Sequence, residues 1–219
     1  MNSRPAGIVH LRYKMRPKLR SFFTVITLAL SLSTAGLALA QSPDDFVKSG
    51  HSQLESLLKQ PASAQRDAQI SSAFDQMIDY SELIKRCFKE HWNELGATKQ
   101  AEVSDLLKQI VRKNYQKNLK RTLEYNVTYN GVRGSGSDVV VRTQAQSKTN
   151  PRDPVVQVDY VVEGGPNGPY HVVDIVAENS STVTNYYRQF HQFLTTASQG
   201  YPYLVQKLKD KIAKLDAGN

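Results

Sequence analysis

Two hydrophobic periods divide the chain. Over residues 44–115 apolar side chains recur every three to four positions, the spacing of amphipathic helices. The first helix, Asp44 to Lys59, carries Phe46, Leu54, Leu57 and Leu58 and is closed by Pro61. A second runs from about Ser63 to Ile78, with Ile70, Phe74, Met77 and Ile78 on one side. Asp79 or Ser81 caps a third, through Leu83, Ile84, Cys87, Phe88 and Trp92 to a stop at Gly96. Thr98 then precedes the longest helix, striped by Val103, Leu106, Leu107, Ile110, Val111 and Tyr115.

From Tyr125 the period becomes two. Four runs, EYNVTYN, DVVVRTQA, PVVQVDYVV and YHVVDIVA, are separated by segments rich in Gly, Pro, Asn and Ser. Connections this short make the strands an antiparallel meander. Alternation places Val127, Tyr129, Val139, Val141, Val156 and Val158 on one face, with Tyr160, Val162, Tyr170, Val172 and Val176. Arg142, Gln157, Asp159 and His171 mark the other. Two more helices follow, Val183 to about Ala197 and Tyr203 to Leu215. The fold class is α+β: a curved antiparallel sheet of about four strands, covered by amphipathic helices. Such a sheet can leave an internal apolar cavity of the kind that holds small or lipid ligands.

Composition narrows the partner classes. The net charge of +8 suggests nucleic acid, but residues 1–40 hold six basic residues and no acid, leaving 22 basic against 20 acidic elsewhere. That balance does not suit a phosphate-backbone binder. The same forty residues have the parts of a cleaved secretory signal: a basic start, an apolar run from Phe22 to about Leu32, and Ala38-Leu39-Ala40 before Gln41. Met15 would give a signal of more ordinary length. Residues 41–219 then form a single exported domain, and the lone cysteine, Cys87, has no intramolecular partner.

Chemistry is sparse. His51, His91, His171 and His191 form no HExxH or HxH, no paired cysteines accompany them, and they read as solvated or capping residues rather than metal ligands. No cofactor motif is present. The best catalytic candidate is Asp174, which alternation turns toward the apolar face beside Val172 and Val176, with Tyr160 or Tyr129 as a helper. It is either a general base of raised pKa or a structural acceptor where the sheet meets the last helices.

The stretch DIVAENSSTVTNYYRQF resembles the MlaC family of periplasmic lipid carriers, also described as toluene-tolerance auxiliary proteins. Asp174, Glu178, Ser181, Asn185, Tyr186, Gln189 and Phe190 fall in the family's pattern. His91-Trp92, VVVRTQA and Val158 to Tyr160 agree in order and spacing. Asn179 replaces an expected glycine, and Tyr187 displaces an expected arginine to Arg188. The resemblance implies an NTF2-like or MlaC-like fold and no enzyme activity. It implies a periplasmic phospholipid shuttle that maintains outer-membrane asymmetry, with an inner-membrane ABC transporter complex, its substrate-binding ring and an outer-membrane lipoprotein complex as partners. On this reading Leu83, Leu106, Ile110, Val183, Tyr187 and Phe190 wall the cavity, and Val127, Tyr129, Val139, Val141, Val156, Val158, Tyr160 and Val172 floor it. The competing expectation is a secreted cone-shaped α+β enzyme that uses Asp174 as general base on a hydrophobic substrate.

Overall fold

The computed structural model describes residues 41–217 apart from Ser135, Pro166 and Asn167, and without the side chains of residues 119–121. The expected leader, residues 1–40, lies outside the described residues. Helices α1 (Pro43–Leu58), α2 (Ala64–Met77), α3 (Tyr80–Phe88) and α4 (His91–Thr122) precede strands β1 (Tyr125–Arg133), β2 (Asp138–Ser147), β3 (Val156–Glu163), β4 (His171–Ala177) and β5 (Ser180–Ser181). Helices α5 (Thr182–Thr195) and α6 (Gly200–Asp216) close the order. The sheet runs β1-β2-β3-β4-β5, every pairing antiparallel, and is curved but unclosed. This is the expected α+β meander with a short fifth strand added.

Local chemistry sets the helix starts. Ser42, Ser63 and Asp79 each accept a hydrogen bond from the backbone N–H three residues on, satisfying a donor that has no intrahelical partner. The third helix is shorter than its apolar pattern suggests. It stops at Phe88 because Lys89 turns to φ 46°, and His91 opens α4, which is itself interrupted at Gly96 with φ 70°. The expected helix to Gly96 is therefore two segments meeting at an angle, so Glu90 and His91 stand at a corner.

Helices α3, α4, α5 and α6 pack around one core with the sheet. Leu83, Ile84, Phe88, Leu107, Ile110, Phe190 and Leu204 are almost wholly buried in it, with Val141, Val162 and Val172. Phe88 and Phe190 stack with centroids 4.8 Å apart, joining α3 to α5. Arg86 fastens α3 to the sheet: its guanidinium donates to Asp138 at 2.6 Å on β2 and to Glu163 at 3.0 Å on β3, while Nε donates to Glu82 at 2.8 Å. These acceptors hold Arg86 firmly in its charged form, above the ordinary arginine range.

The sheet departs from simple alternation at β4. Val162 pairs with Val172 but Val161 pairs with Asp174, so one residue, Val173, is inserted as a bulge. Beyond it the parity reverses. Ile175, opposite Tyr160, takes the concave face, and Val176, expected there, instead pairs with Asp159 on the other side. Asp174 follows the bulge directly, pairs with Val161, and is buried where β4 meets the start of α5.

Candidate functional site

Two cavities are lined by the described residues, one on the sheet and one among the helices. The larger, about 830 Å³, has the concave face of β1–β3 as its floor: Val127, Tyr129, Thr143, Ala145, Val156, Val158 and Tyr160 line it. Paired residues of an antiparallel sheet share a face, and Val127↔Ala145↔Val156 and Tyr129↔Thr143↔Val158 are rows of such partners. The period-two pattern thus becomes a continuous apolar floor. Thr143 does not spoil it, because its hydroxyl donates to the Val158 carbonyl at 2.5 Å. Helix α1 supplies one wall through Lys48, His51, Leu54 and Glu55, and Tyr115 and Asn118 of α4 supply another.

A polar bridge crosses this space. The His51 imidazole contacts the Tyr129 hydroxyl at 2.7 Å and the Tyr160 hydroxyl at 3.0 Å. A neutral ring suits both: its N–H donates to one tyrosine oxygen and its bare nitrogen accepts from the other hydroxyl. Burial lowers the His51 pKa to about 4 and raises that of Tyr129 to about 12. Burial also lifts Tyr160 well above the ordinary phenol range, so the bridge is uncharged at neutral pH. His51 is therefore an enclosed residue, and the expectation of a solvated or capping histidine is corrected there. Its sequence context, GHSQLES, offers no sign of this, because both partners come from distant strands.

The second cavity, about 640 Å³, lies among the helices. Phe74, Leu83, Ile110, Tyr186, Phe190 and Phe193 give it an aromatic and aliphatic lining, with Ile175 from the bulged strand. Polar residues also border it: Asn114, Asn118, Gln189 and the α6 lysines Lys207, Lys211 and Lys214. Tyr115 and Asn118 belong to both cavities. Tyr115 stacks on Phe74 with ring centroids 3.5 Å apart, a divider between the two spaces.

The structure distributes the expected wall residues unevenly. Val127, Tyr129, Val156, Val158 and Tyr160 line the larger cavity, and Leu83, Ile110 and Phe190 the smaller. Leu106, Val141, Val172 and Val183 are buried in the core and line neither; Val139 packs against that core. Tyr187 also lines neither, and its hydroxyl donates to Glu90 at 2.7 Å. His51, Thr143, Ala145 and Ile175 line cavities without having been expected as wall residues.

Asp174 is fully engaged. Its Oδ1 accepts the Val183 N–H at 3.0 Å and its Oδ2 accepts the Ser181 hydroxyl at 2.5 Å, while Ser181 Oγ in turn accepts the Thr184 N–H at 2.9 Å. Carboxylate and serine together satisfy the open donors of α5, which is the structural alternative for this residue. Asp174 is not brought to Tyr160: Ile175 stands opposite that tyrosine, and the Tyr160 hydroxyl is bonded to His51. Glu178 and Asn179, at φ 49° and 62°, form the two-residue turn from β4 into β5. The ENSST run is thus a hairpin followed by a helix cap. Burial raises the Cys87 thiol well above its usual range, which leaves it an inert member of the core.

A family model described as MlaC protein matches residues 50–210. Among solved structures, a phospholipid-binding protein from Ralstonia solanacearum, determined in complex with a phospholipid, is similar at a TM-score of 0.67 and 24% identity. The match covers 82% of this chain and 99% of that one, and it shows a shared fold. No curated protein matches.

Proposed function

Since the chain belongs to the MlaC family, we propose that it is a periplasmic phospholipid-binding shuttle, exported through a cleaved leader. It carries lipid between an outer-membrane lipoprotein complex and an inner-membrane ABC transporter complex with its substrate-binding ring, and so maintains outer-membrane asymmetry. The observation that carries this reading is the apolar sheet-floored cavity of about 830 Å³ beside a second of about 640 Å³. Both fall in the range of about 300–1,000 Å³ typical of ligand pockets. The phospholipid bound by the solved protein of similar fold supports the same ligand class.

The physical need for a carrier is large. Two acyl chains of about sixteen carbons hold some thirty methylenes, and at about 0.8 kcal/mol each their exposure to water costs on the order of 24 kcal/mol. Unaided crossing of an aqueous gap is negligible on that scale. The costs of association and incomplete burial reduce the net affinity far below the gross figure. Loading and release therefore take place against a membrane complex that presents another apolar surface. Within the protein, the two tails divide around Tyr115, one per cavity, and the glycerol end sits by Asn118, which borders both.

Native mass spectrometry of the mature protein, purified from the periplasm without detergent, tests the assignment. A mass increment of one phospholipid, removed by organic extraction and identified in the extract, is the expected result. A ligand-free mass that persists after incubation with phospholipid vesicles overturns it.

A further inference from the structure

The corner between α3 and α4 faces the middle of α5, and three potential metal ligands converge there. His91 Nε2 lies 2.9 Å from His191 Nδ1, and the Glu90 Oε1 atom lies 3.8 Å from the first and 3.6 Å from the second. Glu90, His91 and His191 form a group whose donor atoms all lie within 4.8 Å of one another. A tetrahedral ion with bonds of about 2.0–2.2 Å needs donors about 3.3 Å apart, so each edge of this triangle is within about 0.5 Å of the requirement. We propose that Glu90, His91 and His191 form a binding site for a borderline divalent cation of the zinc type, with a fourth position open to solvent.

Three further observations support a built site. His91 Nδ1 faces the Glu94 carboxylate at 3.1 Å. An ionised carboxylate only accepts, so that nitrogen carries the ring proton and Nε2 presents its lone pair to Glu90 and His191. This is the carboxylate–histidine–metal arrangement that fixes the tautomer and orientation of a metal ligand. His91 is 8% exposed, which restrains its ring. Beneath the site, Phe88 stacks on Phe190, the neighbour of His191, and Lys89 at φ 46° turns the chain so that Glu90 and His91 follow directly. The two backbone segments are thus held together by the core rather than by the ligands.

Without a cation, His191 Nδ1–H donates to His91 Nε2. Cation binding requires a tautomer change, in which the His191 proton moves from Nδ1 to Nε2 through solvent and Nδ1 joins the coordination, while Glu90 Oε1, which accepts the Tyr187 hydroxyl, turns a lone pair to the ion. Both rings remain neutral and no redox partner is involved. Two nitrogens and one carboxylate oxygen suit Zn²⁺ better than Ca²⁺ or Mg²⁺, which favour all-oxygen sets. The ion would tie the α3–α4 corner to α5, whose Tyr186 and Phe190 line the smaller cavity. The sequence hides the site because His191 lies 100 residues from His91.

The test uses tag-free mature protein stripped with chelator and titrated with Zn²⁺ by calorimetry, with Co²⁺ as an optical probe. One Zn²⁺ per chain and the visible bands of four-coordinate Co²⁺ are expected. His191→Ala and Glu90→Gln, both at exposed positions, should each lower the affinity at least about 10-fold. Glu94→Ala, which removes the orienting acceptor, should lower it about 10–100-fold without abolishing the four-coordinate spectrum. Equal Zn²⁺ affinity in wild type and His191→Ala, or a six-coordinate Co²⁺ spectrum, overturns the proposal.

Discussion

The two cavities are built by different means. The larger rests on β1–β3, where paired β-branched and aromatic residues give a floor fixed by backbone hydrogen bonds, and the His51 bridge crosses the space above it. The smaller is framed mostly by helix side chains, Phe74, Tyr186, Phe190 and Phe193, and is bordered by lysines of α6. A sheet floor keeps its shape unless strands part, whereas helices can slide against each other by small side-chain changes. The larger cavity is therefore the stiffer of the two and the smaller the more adaptable.

The largest expected effect is at the fixed floor. Val158→Arg puts a charge into the larger cavity from a position that is not part of the tight core, and phospholipid retention by native mass spectrometry should fall below detection while circular dichroism stays native. Val141→Arg, on the same face but 0% exposed, should instead fail to fold. A folded, lipid-loaded Val158→Arg protein would show that the tails lie elsewhere. The divider comes next. Tyr115→Ala removes the ring stacked on Phe74 and merges the two spaces, at a cost of about 3–5 kcal/mol in urea denaturation. If its stability matches wild type, the stack of Tyr115 on Phe74 contributes nothing to the packing between the two spaces.

The fixed and adaptable regions also differ in how far the sequence disclosed them. Val127, Val156 and Val158 were readable because a period of two assigns faces without knowledge of any partner. That rule fails after one inserted residue: Val173 bulges, Ile175 replaces Val176 on the concave face, and no residue type marks the change. Helical stripes gave Leu83, Ile110 and Phe190 a buried side but not what lay opposite. Hence Leu106 and Val183 fill the core, while Leu83 borders a cavity. Tyr187 looked like a wall residue, yet its hydroxyl found Glu90 across a corner that only the Lys89 break creates. The His51–Tyr129–Tyr160 bridge and the Glu90–His91–His191 group were invisible for the same reason. Each joins residues far apart in the chain and uses no local motif.

The His51 bridge gives the fixed region a pH signature. With a folded pKa of about 4 against 6.5 for the free side chain, the unfolded chain binds the extra proton first as pH falls. Stability from this group is complete above about pH 6.5 and declines as pH drops toward 4, by on the order of 3 kcal/mol in total. His51→Gln retains hydrogen bonding to the tyrosines without a titrating ring. Urea denaturation of this variant between those pH values should show a flatter profile than wild type. An unchanged slope would assign the acid sensitivity to other groups.

The smallest effect is expected at the border of the adaptable cavity. Lys207, Lys211 and Lys214 are exposed on one side of α6, so their attraction for a lipid phosphate is screened beyond about 8 Å at physiological salt. They can bias which headgroup is accepted but cannot hold the lipid. Replacing all three with Gln should lower the preference for anionic phosphatidylglycerol over zwitterionic phosphatidylcholine only a few-fold in competition loading from vesicles. Total lipid bound should not change, since the apolar lining is intact. The preference should also weaken with added salt in wild type and less so in the triple variant. If preference and salt response are both unaltered, the headgroup does not rest against α6. The glycerol end would then leave through the larger cavity, past Lys48 and Lys148, the lysines that line it.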